Sequence, residues 1–276
     1  MQLTPVRRHL PPLAATRRHS PPPAATRRHS PQGHPDKVLC VAYSPDSRQL
    51  ASCGEDDGAV RVYDTRTGRC TAVLQPQQEA AQPQPQAKAA DGDAGEAGPA
   101  AAAAAAPAPA TGHAPGKSCR AVAWSPDGRR LASGGDDCRL LLWDAATGQV
   151  THELAGGHQG GVYGLAFGPG GARLASCGGD KAIRIWDVAS GAQVSVLAGH
   201  NMTVRCVAWS HSGRHLASAG EDCTARVWRA AAGREVEAGV EVAKLDDFDD
   251  DVNAVAWSPD DLTLVSWWVM VGGDME

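Results

Sequence analysis

Two stretches of this chain place a histidine, a serine and an aspartate at identical intervals: His158, Ser176 and Asp180, then His200, Ser218 and Asp222. These residue types can build a nucleophilic hydrolase site, in which imidazole takes the serine proton and a carboxylate orients the imidazole. A tryptophan six residues after each aspartate, Trp186 and Trp228, points to another use. The set also recurs. Ser133, Asp137 and Trp143 keep its spacing, although His113 stands two residues too far upstream. His34, Ser52 and Asp57 form a looser version, with Tyr63 in the tryptophan position and one extra residue in the turn. A catalytic set has no reason to repeat. Buried polar groups must be paired, so the recurring sets read as pins between strands.

Other motifs fail on inspection. Thr111 to Ser118 looks like a phosphate-binding loop, but Thr111 occupies the first glycine position and a Pro/Ala tract precedes it. Such a loop must follow a buried strand and open a helix. Six of the eight cysteines fall at repeated positions (Cys40 and Cys206, Cys53 and Cys177, Cys138 and Cys223), and no Cys-x-x-Cys pair occurs. They read as small apolar residues kept as reduced thiols rather than as metal ligands. Asp246, Asp247, Asp249, Asp250 and Asp251 lack the alternating ligand spacing and the glycine of a calcium loop. They read as a solvated acidic loop, or as a surface for a basic partner. No cofactor and no metal are expected.

The elements that would hold these residues are short and repeated. Leu-Ala-Ser occurs four times, and Ser133, Ser176 and Ser218 lie 43 and 42 residues apart. Before each copy runs a short apolar stretch ending in a turn, such as Ser125-Pro126-Asp127-Gly128. After it come the aromatic-bearing stretch, a Thr-Gly or Ser-Gly turn in the first three copies, and a fourth run. Runs of four to six Val-, Ile-, Leu- and Trp-rich residues split by turn signals are β-strands. A fixed period of this length marks a stacked repeat architecture. Four antiparallel strands per unit make one blade of a β-propeller.

With Gly-His before the first strand and Trp-Asp ending the third, the chain resembles the WD-repeat β-propellers. The resemblance implies that His, Ser, Asp and Trp of a blade form one hydrogen-bonded network. It also implies that partners contact the residue before the turn aspartate, here Asp136, Gly179 and Glu221, and nearby loop residues Gln159, Asn201 and Met202. The expected fold is all-β: blade 1 over 34–74, blade 2 over 113–155, blade 3 over 156–198, blade 4 over 199–245, and an incomplete fifth over 246–276. Phe248 takes the histidine position of that fifth unit, and Met270 and Glu276 take the Asp and Trp positions. A truncated arc is therefore expected, with an arc completed by another chain and a small closed ring as alternatives. Open strand edges would favour self-association.

Residues 1–33 hold a decapeptide twice, with Arg-Arg-His-Ser-Pro at Ser20 and Ser30. The composition predicts disorder. The two serines are phosphorylation candidates, against the simpler account of a tandem repeat without a selected role. Residues 75–112 are a low-complexity Ala/Pro/Gln insert. The tail carries six of the 26 basic residues and no acid, leaving 20 basic against 31 acidic residues elsewhere. No apolar run approaches ~18 residues, the length a membrane span needs. The expected function is a non-catalytic scaffold for protein–protein interaction, an adaptor in a larger complex in the cytoplasm or nucleus. Its partners would carry Lys/Arg-rich segments. The alternatives are a propeller-type hydrolase, a chromatin or nucleic-acid reader using the Arg-rich tail, and a truncated product without independent function.

Overall fold

The computed structural model describes residues 33–55, 58–75, 112–114, 116–154, 157–230 and 240–268. The Arg-rich tail with Ser20 and Ser30, Asp57, and nearly all of the 75–112 insert lie outside the described residues. Every regular element among those described is a strand. Blade 1 runs β1 (Val38–Tyr43), β2 (Gln49–Gly54), β3 (Val60–Asp64) and β4 (Cys70–Leu74). Blade 2 runs β5 (Cys119–Trp124), β6 (Arg130–Gly135), β7 (Leu140–Asp144) and β8 (Val150–Glu153). Blade 3 runs β9 (Val162–Phe167), β10 (Arg173–Gly178), β11 (Ala182–Asp187) and β12 (Gln193–Ala198). Blade 4 runs β13 (Val204–Trp209), β14 (His215–Gly220), β15 (Ala225–Arg229) and β16 (Glu241–Leu245). The fifth unit is the pair β17 (Val252–Trp257) and β18 (Leu264–Trp268). Within each sheet, strands pair antiparallel in sequence order.

Turn chemistry sets these registers. Between β5 and β6, Ser125 Oγ donates to Asp127 Oδ1 at 2.6 Å and accepts the Arg130 N–H at 2.9 Å. Gly128 supplies the left-handed residue at φ 69°. Between β7 and β8, Asp144 Oδ1 accepts the Thr147 N–H and hydroxyl. Side chains thus tie the hairpins within each blade.

Hydrophobic burial lies between blades, because a single sheet cannot cover its own faces. The second and third strands of one blade pack on the first strand of the next, as Ala217, Ala219 and Val227 do on Val252, Val255 and Trp257. Equivalent clusters fill the other three junctions. Tryptophans at the ends of first strands reach back to the preceding blade: Trp124 Nε1 donates to Ala42 O at 3.1 Å, Trp209 to Ala166 O at 3.0 Å, and Trp257 to Ala208 O at 3.1 Å. First strands therefore follow one another, β1 against β5, β9, β13 and β17 in turn, as an arc.

Candidate functional site

The repeated polar sets converge. In blade 3, His158 Nδ1 lies 2.8 Å from Asp180 Oδ1, and His158 Nε2 lies 2.7 Å from Ser176 Oγ. Trp186 Nε1 donates to that same Oγ at 2.8 Å. A carboxylate only accepts and an indole only donates. Proton order follows: His158 Nδ1–H to Asp180, the Ser176 hydroxyl to Nε2, the Trp186 N–H to Oγ. Blade 4 repeats the arrangement with His200, Asp222, Ser218 and Trp228.

Blade 2 completes the same network through His113, which the 18-residue spacing had left out of register. His113 Nε2 lies 2.8 Å from Ser133 Oγ and Nδ1 3.0 Å from Asp137, while Trp143 Nε1 donates to Ser133 at 2.7 Å. The two extra residues sit in the loop between His113 and β5, where Lys117 N donates to Ala114 O and Gly116 takes φ 70°. Spacing failed there because a loop absorbs length without moving its anchors. In blade 1 His34 Nε2 lies 2.7 Å from Ser52 Oγ, and Arg61 Nη1 lies 2.8 Å from His34 Nδ1, as Arg184 Nη1 lies 3.0 Å from His158 Nδ1 in blade 3.

Geometrically these sets resemble a Ser-His-Asp triad, but Ser133, Ser176 and Ser218 are fully buried and each Oγ is bonded to an indole N–H. No substrate carbonyl can reach them. Burial works to raise the Asp180 carboxyl, yet the His158 hydrogen bond and charge, the Gln159 N–H and Arg184 outweigh it and hold it at about 2. Asp137 and Asp222 are lowered against the same burial penalty. Burial also lowers His200, more than the hydrogen bond it donates to Asp222 raises it.

The networks fix one end of each blade, and a second repeated feature builds on it. Five first strands carry a β-bulge at the same place, skipping Leu39, Arg120, Tyr163, Arg205 and Asn253. A bulge re-aims the side chain it carries, here at the end of the blade that holds the turn aspartates. Arg120 ion-pairs with Asp136 and lies over the Tyr163 ring, 5.2 Å from its centroid. Arg205 ion-pairs with Glu221 and comes within 4.0 Å of Asp251.

Four segments, residues 25–64, 109–144, 148–187 and 191–229, match the family described as "WD domain, G-beta repeat". The chain belongs to the WD-repeat family. Among curated relatives it is similar to the "Periodic tryptophan protein 2 homolog" of Dictyostelium discoideum, 28% identical over 145 residues, 49% of this chain and 15% of that protein. It is similar to "WD repeat-containing protein VIP3" of Arabidopsis thaliana, 25% identical over 123 residues, 44% and 30% of the two chains. It is also similar to "WD repeat-containing protein 1" of Xenopus tropicalis, 29% identical over 141 residues, 47% and 23%. The matched part thus spans less than a third of each relative's length.

On the WD blades the six candidate contact residues divide. Asp136 and Glu221 are occupied by the arginines of their own blades, so the acids are balanced rather than bare. Gly179 leaves room beside Tyr163, whose Cε2 would stand 3.4 Å from an added Cβ. Gln159 and Asn201 tie their backbone N–H groups to Asp180 and Asp222 and leave exposed side chains, and Met202 is half exposed. The bulge residues were missed in the sequence. Their signal was the second position of each first-strand hexapeptide, which carries Leu39, Arg120, Tyr163, Arg205 and Asn253 while the fifth position is Ala throughout.

Among the described residues no group of His, Cys, Asp and Glu is arranged to hold a metal ion. No helix there is long and apolar enough to cross a membrane. The acidic loop before β17 gathers beside blade 4. Burial raises the Cys223 thiol first, and the fields of Asp251, Asp250, Asp222 and Asp249 raise it further.

Proposed function

We propose that this chain is a non-catalytic scaffold whose bulge-bearing face takes up a Lys/Arg-rich segment of a partner protein. Adaptor duty inside a larger reducing-compartment complex, cytoplasmic or nuclear, fits the free thiols of Cys53, Cys119 and Cys177 buried in the blades. One observation carries the reading. Glu221, Asp222, Asp249, Asp250 and Asp251 lie together on the blade 4 side of this face, with Arg205 pairing with Glu221 and reaching Asp251. An arginine or lysine from a partner would meet the carboxylates of Asp249, Asp250 and Asp251 beside blade 4, and charge complementarity sets both approach and register. The hydrolase alternative finds no support in the networks, whose serines are closed to substrate.

Fluorescence anisotropy with a labelled twelve-residue Lys/Arg-rich peptide tests this reading. Binding is expected to weaken steeply with salt and to fall at least tenfold in an Asp249→Lys, Asp250→Lys double variant. A neutral peptide of equal length should not bind. Peptide binding that ignores both the variant and the salt, or no binding at all, overturns the reading.

A further inference from the structure

The turns that join first and second strands lie at the end of the blades away from the bulges. Four of the five follow one scheme, in which an opening serine accepts an N–H five residues on: Gln49 to Ser44, Arg130 to Ser125, His215 to Ser210 and Thr263 to Ser258. Where an aspartate stands two residues after the serine, its Oδ1 accepts a further N–H, as Asp46, Asp127 and Asp260 do. Blade 3 departs from this scheme. Its turn is Gly168-Pro169-Gly170-Gly171-Ala172, with no oxygen-bearing side chain, and Ala172 stands where blades 1, 2 and 4 carry Arg48, Arg129 and Arg214.

Beside that bare turn lies a cleft of about 530 Å³, between blades 2 and 3. A Cβ on Gly170 would meet nothing within 4 Å. Pro126, Pro169, Ala172 and Val188 give the cleft apolar walls, and Arg129 and Arg130 line its blade 2 side. Arg130 Nη1 donates to Val188 O at 2.7 Å across the junction, whereas its blade 3 counterpart Arg173 ion-pairs with Asp187. Arg129 is exposed, and among the described residues neither Arg129 nor Arg130 forms an ion pair. The acids at hand are already engaged. Asp127 accepts the Ser125 hydroxyl and the Arg129 N–H, and Asp144 accepts the N–H and hydroxyl of Thr147.

The junction between blade 4 and the fifth unit shows what such a gap takes. There Asp261 holds the left-handed turn position that Gly171 holds in blade 3, at φ 58° and 71°. Its carboxylate crosses to the blade 4 turn and accepts the His211 N–H at 2.6 Å and the Ser212 N–H at 2.7 Å. That junction is filled by a carboxylate of the chain itself. The blade 2–3 junction has two guanidinium groups and, with glycine at both 170 and 171, no side chain to offer them.

We infer that the cleft between the blade 2 and blade 3 turns is a site for an acidic segment of a partner protein, an Asp or Glu set among small apolar residues. Arg129 and the remaining N–H groups of Arg130 hold the carboxylate, while the two prolines, Ala172 and Val188 cover its apolar neighbours. The site stands at the opposite end of the blades from the acidic loop and takes the opposite charge. It is therefore independent of what the bulge-bearing face binds.

Fluorescence anisotropy of the full chain with a labelled twelve-residue peptide of Glu, Ala and Val tests this, beside the same peptide with Gln for Glu. Binding of the Glu peptide is expected to fall at least tenfold in Arg129→Glu. It should fall as far in Gly170→Glu, which fills the cleft with a carboxylate of the chain's own. These variants alter opposite walls, so a loss of fold in one leaves the other to decide. Arg48→Glu, the same turn position in blade 1, should leave binding unchanged, as should Asp249→Lys with Asp250→Lys. No binding, equal binding of the Gln peptide, or binding retained in both cleft variants overturns the inference. So does an equal loss in Arg48→Glu, which would reduce the site to a diffuse basic surface. Displacement by inorganic phosphate as readily as by unlabelled peptide overturns it too, by making the cleft a small-anion site.

Discussion

At the scale of single residues, the serine hydroxyl is the hub, and it is readable from sequence only where its histidine keeps step. The 18-4-6 spacing exposed the networks of blades 3 and 4 because short hairpins fix the distances between strands. His113 escaped because a loop of different length leads to β5. The arginines Arg61, Arg184 and Arg226 escaped too, since a charged residue on a third strand reads as a solvent-facing alternation. Instead Arg184 donates to Asp180 at 2.6 Å, and Arg226 lies 3.6 Å from Asp222. These contacts bear on acid stability. Asp180 is held at about 2 in the folded blade against an ordinary value of 3.8, so folding favours its ionised form. Its contribution, of order 2 kcal/mol at ~1.4 kcal/mol per unit, is complete above about pH 4 and is lost as pH falls through 2. Asp180→Asn should therefore be less stable than the parent at pH 7, with the difference shrinking between pH 4 and pH 2. Urea unfolding across that range checks this, and a difference independent of pH refutes it.

At the scale of elements, strands and hairpin turns were legible because Pro, Gly, Asp and Ser each act locally. What no single-blade reading could supply is the close fit between blades, since Gly134 and Val162 belong to different repeats. Its energetic consequence is specific. Gly134→Ala puts a Cβ 2.5 Å from Val162 Cγ1 and 2.8 Å from its Cβ, inside a packed junction rather than against a flexible side-chain end. Overpacking of this kind costs about 1–3 kcal/mol. Gly170→Ala, in the turn between β9 and β10, meets nothing within 4 Å. Thermal melts should show a clear loss for the first and none for the second. Equal behaviour of the two would mean that blades 2 and 3 slide apart at little cost. The bulges belong to this scale as well: an extra residue per first strand is invisible to an alternation count, yet it decides which side chains reach the end of the blade that holds the turn aspartates.

At the scale of the whole molecule, each hydrophobic cluster joins only neighbouring blades, so stability is passed along the arc link by link. The sequence announced this through its period, but it could not show which side chains meet across each junction. A chain of links, each joining only neighbouring blades, should yield locally when one link is weakened. Ser218→Ala removes the hydroxyl shared by His200 and Trp228 and leaves two buried nitrogens without partners, at roughly 1–3 kcal/mol each. Trp228 packs in the blade 3–4 cluster, while Val227 packs in the blade 4–5 cluster. Loosening blade 4 therefore frees the strands on both its sides. Hydrogen exchange should rise at least tenfold across β13–β18, less across β9–β12, and not at all across β1–β4, three junctions away. A uniform rise over all blades would mean that the arc unfolds as one cooperative body, with its ends in contact. A rise confined to blade 4 would mean that the junctions contribute less than the hydrogen-bonded sheets they separate.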